Sequence, residues 1–110
     1  MQKSVYSAVL TPFKKDLTID TRLFISHCEF LLKNNIWLAP LGTTGEANSV
    51  SVYEKIDLIK TIGSSDLPKE KIIIGTGNTS FVDAALLTKT AVENKIYSVL
   101  LLPPRSEEHT

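Results

Sequence analysis

At 110 residues, with 43% hydrophobic and 22% charged residues, the chain has the composition of one modest globular core, which excludes a disordered tail. Twelve Lys and Arg balance twelve Asp and Glu, so no long-range field gathers nucleic acid or an anionic membrane surface. The single cysteine, Cys28, has no internal disulfide partner and no metal-type spacing around it, no apolar run approaches the roughly 18 residues of a membrane span, and Met1 to Leu10 lacks a signal-peptide core. A cytoplasmic, untargeted protein without a metal is expected.

Val5 to Thr11 is short, apolar, not strictly alternating and ended by Pro12, the pattern of a buried strand. A loop with Lys14, Lys15 and Asp16 follows. Asp20 is a good helix N-cap, and Leu23, Phe24, His27, Cys28, Leu31 and Leu32 recur behind it at helical spacing up to the Asn34-Asn35 stop. Ile36 to Leu41 reads as a second buried strand running into Gly42. Ser51 with Glu54 three residues on forms a capping box, Ile56, Ile59, Lys60 and Ile62 continue that helix, and Gly63-Ser64-Ser65 ends it. Lys71 to Gly75 is a third strand. Gly77-Asn78-Thr79 turns the chain into a third helix, where Ser80 and Asp83 repeat the capping spacing and Ala84, Leu87, Thr88, Ala91 and Val92 form the expected buried stripe. A fourth strand, Tyr97 to Leu102, stops at Pro103-Pro104.

This alternation of apolar strands with helices implies parallel pairing through right-handed crossovers. Two architectures fit it. An open flavodoxin-like sheet closes a core within this length, whereas an eight-stranded barrel needs roughly 250 residues.

The sharpest feature is Gly42-Thr43-Thr44-Gly45-Glu46, directly after the second strand, because parallel α/β proteins bind ligands at the carboxyl ends of their strands. Two glycines let backbone N–H groups approach a ligand, and two hydroxyls add donors suited to a carboxylate. A small anionic substrate is the natural guest, and a tight connection is the competing structural reading. Glu46 reads as a loop-ordering acceptor rather than a catalytic base. Gly75-Thr76-Gly77-Asn78 occupies the equivalent place after the third strand. It lacks the further glycine of a dinucleotide fingerprint, and the phosphate-loop pattern is missing, so no cofactor is expected. His27, on the helix stripe, reads as a packed or partly exposed residue and not as a ligand or base.

In order and spacing, Leu10-Thr11-Pro12-Phe13, Asp20, Leu41-Gly42-Thr43-Thr44-Gly45-Glu46-Ala47, Ser51-x-x-Glu54, Ile74-Gly75-Thr76-Gly77-Asn78 and Leu102-Pro103-Pro104 together resemble one family. It is the pyruvate-dependent class I lyases and aldolases typified by dihydrodipicolinate synthase and N-acetylneuraminate lyase. The double threonine looks more like the synthase branch. The resemblance implies the N-terminal part of a (β/α)8 TIM barrel, here about four parallel strands and three helices over residues 1–104, from a parent that is usually a homotetramer. It implies a lysine Schiff base with pyruvate, whose enamine attacks an aldehyde, aspartate semialdehyde in the synthase of lysine biosynthesis. By resemblance Thr44 binds the pyruvate carboxylate with Gly42 and Gly45, and Thr43 joins a tyrosine proton relay; a hydroxyl that both donates and accepts suits that task.

A nucleophilic lysine must be desolvated. Lys71 starts its strand at the wrong end, Lys33, Lys55, Lys60, Lys89 and Lys95 belong to helices or their ends, and Lys14 and Lys15 lie in a polar loop. In the family the Schiff-base lysine, a relay tyrosine and a substrate-binding arginine come later than residue 110, and the tyrosine expected after Pro-Pro is replaced by Arg105-Ser106. Residues 105–110, Arg-Ser-Glu-Glu-His-Thr, back-translate to AGA TCG GAA GAG CAC ACG, which resembles the start of a common DNA-sequencing adapter. They are therefore expected to be a non-native tail, and the chain an inactive fragment of a lyase. Four strands alone also leave two open sheet edges, from which poor solubility or self-association is expected.

Two other readings stand beside this one: another pyruvate aldolase of the family, of keto-deoxy sugar acid or neuraminate type, and a non-catalytic anion-binding open-sheet module. Asn48, Val50, Val52, Lys55 and Asp83 fall near the place of the family's lysine feedback site, but Val52 has no polar group, and a structural loop is expected there.

Overall fold

The structure, a computed structural model, describes residues 5–42, 50–76 and 80–100. Among them four strands alternate with three helices: β1 (Val5–Ser7), α1 (Thr21–Lys33), β2 (Ile36–Leu38), α2 (Val52–Ser64), β3 (Ile73–Gly75), α3 (Phe81–Glu93) and β4 (Ser98–Leu100). A 3-10 turn at Lys69–Lys71 leads into β3.

The helix starts lie where their side-chain chemistry places them. Asp20 accepts from the Leu23 N–H at 3.0 Å. Ser51 and Glu54 complete the capping box, with the Glu54 N–H donating to Ser51 Oγ at 3.2 Å and the Ser51 N–H to Glu54 Oε1 at 3.1 Å. Ser80 accepts from the Asp83 N–H at 3.2 Å. α1 ends at Asn34, and Asn35 takes the left-handed conformation, φ 61°, that asparagine tolerates at a helix end.

Two expectations are corrected. Each strand is three residues long, because pairing lapses before the apolar run does: Val9 and Thr11 remain buried beyond β1, and Lys71 lies in the 3-10 turn before β3. α2 does end within the expected Gly63-Ser64-Ser65 stretch, at Ser64 with Ser65 as its C-cap, and its penultimate residue is Gly63. Its missing side chain makes room for Asn94 at the end of α3, whose Oδ1 would meet a Cβ built there. The buried faces also rotate slightly. Leu23 is exposed on α1, while on α3 Thr90 is buried and Val92 is not. Thr90 can take the inward place because its hydroxyl donates to the Leu86 carbonyl at 2.8 Å, which leaves its methyl to pack.

β1 pairs parallel with β2 (Tyr6 opposite Trp37) and β3 parallel with β4 (Ile74 opposite Val99). A parallel bridge between Leu38 and Ile72, with the Gly75 N–H donating to the Pro40 carbonyl at 3.0 Å, joins the two pairs in the order β1-β2-β3-β4. α1 packs on α2 and α2 on α3, in one layer. A flavodoxin-like sheet reverses its strand order and carries helices on both faces, so sequential order and one-sided helices correct the open-sheet reading in favour of the barrel. The core lies between sheet and helices, where Phe24, Cys28, Leu58, Ile59, Ile62 and Leu87 meet Leu38, Ile72 and Ile74.

Candidate functional site at the carboxyl ends of the strands

In a parallel βα fold, the strand exits and the N-termini of the following helices share one end of the molecule. Gly42 follows β2 and Thr76 follows β3 at that end, where α2 and α3 begin at their serine caps. The chain reaches Gly42 through Leu41, a fully buried residue held at φ 59°. Few non-glycine residues adopt that conformation, and here the core anchors the side chain while the backbone turns. Gly75 accommodates the turn, because the Leu41 carbonyl oxygen occupies the space a Cβ would need. Gly42 is tight as well: a Cβ there would lie 2.7 Å from the Ala39 carbonyl oxygen. Both glycines thus have a packing reason to be present, which brings the exits of β2 and β3 side by side.

Thr76 is wholly buried. The Thr88 hydroxyl donates to the Ala84 carbonyl at 2.9 Å and shares a hydrogen bond with the Thr76 hydroxyl at 3.1 Å, and the Thr76 N–H donates to the Leu100 carbonyl at 3.0 Å. Its hydroxyl therefore ties β3 to α3, and its N–H ties β3 to β4. Of the residues read from the sequence as a binding loop, Gly42 is placed here; Thr43, Thr44, Gly45 and Glu46, like Gly77 and Asn78, lie outside the described residues. His27 is exposed on α1.

Among the described lysines, Lys14, Lys15, Lys33, Lys60, Lys89 and Lys95 are exposed. Lys69 is occupied, its Nζ donating to the Ser65 carbonyl. Lys55 differs. On the first turns of α2, its side chain is 1% exposed, and burial pulls its pKa down while the Asp83 carboxylate on α3 pushes it back up. The sequence carried a signal for this, since Lys55 leads the spacing Leu58, Ile59 and Ile62 of the buried stripe. The residues read from the sequence along this helix, Ile56, Ile59, Lys60 and Ile62, left it out, and the lysine among them, Lys60, is exposed.

A hollow of about 240 Å³ between the start of α1 and α2 is lined by Thr18, Ile19, Thr21, Glu54, Asp57 and Leu58. Its two carboxylates make it unsuited to an anion. Among the described residues no group of three or more His, Cys, Asp or Glu stands together as a metal site.

A family model described as the dihydrodipicolinate synthetase family matches residues 1–106. The chain belongs to this family. It is 33% identical over 105 residues to the 4-hydroxy-tetrahydrodipicolinate synthase of Archaeoglobus fulgidus, covering 94% of this chain and 35% of that protein. Its fold superposes on the dihydrodipicolinate synthase of Agrobacterium tumefaciens with a TM-score of 0.84 at 28% identity, covering 96% of this chain and 38% of the other. The 2-keto 3-deoxygluconate aldolase of Picrophilus torridus follows at a TM-score of 0.81 and 26% identity, with 94% and 38% covered. These structural neighbours are TIM-barrel enzymes, and the dihydrodipicolinate synthetase family to which the chain belongs is one of lyases. The chain spans about a third of the length of the curated relatives it matches. Among the described residues no helix is long and apolar enough to cross a membrane.

Proposed function

We propose that this chain forms the first three βα units and the fourth strand of a cytoplasmic, homotetrameric lyase that condenses pyruvate with aspartate semialdehyde, the 4-hydroxy-tetrahydrodipicolinate synthase reaction. The observation that carries the reading is the 33% identity to a protein of that name across 94% of the chain. Gly42 at the strand exits supports it, since the loop it opens then begins at the mouth of the barrel.

In this reading the N–H groups of Gly42 and Gly45 and the hydroxyl of Thr44 hold the pyruvate carboxylate. A desolvated lysine beyond residue 110 condenses with the pyruvate ketone and releases water. Loss of a proton from the methyl carbon gives the enamine, whose carbon bonds to the aldehyde carbon. Thr43 accepts a proton from one tyrosine and hands its own to the next, so that the new alkoxide is protonated without bulk solvent. Residues 1–104 alone hold the carboxylate cradle but not the nucleophile.

The test is borohydride trapping with pyruvate, read by intact mass. The expected result is no adduct on this chain and one per subunit on a full-length protein carrying residues 1–104. A stoichiometric adduct on the 110-residue chain would show that one of its own lysines is the nucleophile and would overturn the reading. A keto-deoxy sugar acid aldolase is the second reading, favoured by the TM-score of 0.81 to the Picrophilus torridus enzyme. A full-length protein that cleaves 2-keto-3-deoxygluconate faster than it condenses aspartate semialdehyde would establish it.

A further inference from the structure

The neighbours of Gly75 fix which way it faces. Ile72 and Ile74 are buried in the core beneath the helices, and Thr76 shares a hydrogen bond with Thr88 on α3, so these alternate residues point to the helix layer. Side chains alternate along a strand, and a Cβ on Gly75 would therefore point the other way, toward the inside of the barrel. The chain leaving β2 takes that place. The Leu41 carbonyl oxygen occupies it, with the Leu41 carbonyl carbon 2.6 Å and the Gly42 Cα 3.1 Å from where the Cβ would stand. At Leu41 and Gly42 the chain thus crosses onto the inner face of β3.

The left-handed turn at Leu41, φ 59°, makes the crossing while the Leu41 side chain stays fully buried in the core. One residue earlier the pairing is regular, the Gly75 N–H donating to the Pro40 carbonyl at 3.0 Å, and one residue later the Thr76 N–H donates to the Leu100 carbonyl at 3.0 Å. Gly75 is therefore a fixed platform under the turn. Extended backbone at residue 41 would instead carry Gly42 onward along the line of β2. A leucine gains nothing of its own from positive φ, and a strained residue directly before a ligand loop points to a functional reason for the strain.

We propose that Leu41 and Gly75 are positioning residues for the carboxylate cradle: the left-handed turn of one, received by the bare Cα of the other, sets Gly42 on the inner face of the barrel mouth. Both act through Gly42. The inference rests on the reading above in which the Gly42 N–H holds the pyruvate carboxylate.

The test is a set of Leu41 variants in a full-length protein carrying residues 1–104, read by pyruvate KM, kcat and the urea midpoint. Leu41→Ile keeps the buried volume, but its branched Cβ disfavours positive φ. Leu41→Asn gives up the buried side chain and takes positive φ readily. Leu41→Ile is expected to raise the pyruvate KM about tenfold with kcat within about threefold, because the cradle binds the carboxylate alike before and during reaction. Leu41→Asn is expected to lower the urea midpoint and keep KM within about twofold, and Leu41→Met to match the unmodified protein. KM raised by Leu41→Asn and untouched by Leu41→Ile would assign the effect to the buried side chain and overturn the proposal. Should Leu41→Ile fail to fold, Leu41→Ala is compared with Leu41→Asn: both lose the leucine, only asparagine favours the turn, and equal KM values overturn the proposal. An unmodified protein that traps no pyruvate with borohydride refutes the proposed reaction and with it the role assigned here. Trapped pyruvate with KM unchanged in Leu41→Ile refutes the positioning role alone.

Discussion

The carbonyl oxygen of Leu41 fills the space beside the Cα of Gly75 that any other residue would use for its Cβ. Leu41 cannot simply retreat, because its side chain is buried and its backbone is already held at φ 59°. Gly75→Ala therefore forces β2 and β3 apart where Gly75 N–H meets the Pro40 carbonyl, and is expected to cost about 3 kcal/mol or to prevent folding. Urea denaturation followed by circular dichroism measures it, and a loss within experimental error would mean that the strand exits are not so tightly packed.

Gly63 and Asn94 form a second close pair, between α2 and the end of α3. In an ordinary helix Gly→Ala stabilises by about 1 kcal/mol. Here Gly63→Ala is expected to destabilise, since the new methyl meets a side chain whose Nδ2 is committed to the Thr90 carbonyl at 2.8 Å. Asn94→Gly on the same background also removes the Asn94 Cβ, which would lie 2.6 Å from the new methyl, and should recover part of the loss; a double-mutant cycle reads the coupling.

Ser51→Ala removes the acceptor for the Glu54 N–H and should cost about 1 kcal/mol. Glu54→Gln keeps a side-chain oxygen for the Ser51 N–H and should cost less. Comparing the two midpoints in urea separates loss of the cap from loss of charge.

Lys55 makes stability depend on alkaline pH. Its folded pKa lies below the usual 10.5, so between those two values the unfolded chain binds more protons than the folded one, and stability rises with pH. Relative to Lys55→Met, the unmodified protein should thus gain stability as pH climbs from neutral toward 10.5. Asp83→Asn removes the charge that opposes burial, lowers the Lys55 pKa further and steepens that rise. Equal slopes for all three proteins would show that Lys55 titrates as an ordinary surface lysine.

The Cys28 thiol is buried in the core, and burial, with the nearby Glu29 carboxylate, pushes its pKa up to about 12. At pH 8 it should react with a thiol reagent only when the core opens. Its labelling rate should follow the unfolding equilibrium in urea, and fast labelling of the native protein would contradict the burial.

What the sequence determined by itself is local chemistry and order. Asp20, Ser51 with Glu54, and Ser80 start helices because each side chain satisfies backbone donors within its own turn, and no distant contact enters. The family motifs were legible for the same reason, as short strings at strand exits. Tertiary structure alone decided what depends on partners across the fold. Lys55 is buried because α2 faces α3, and Gly63 is a contact as well as part of the helix end because Asn94 arrives beside it. The apolar strands read as buried on both faces, yet only one face meets helices here, because covering the other requires strands supplied from outside residues 5–100. An apolar letter in the sequence records that a residue is to be buried, and only the assembled sheet specifies against what.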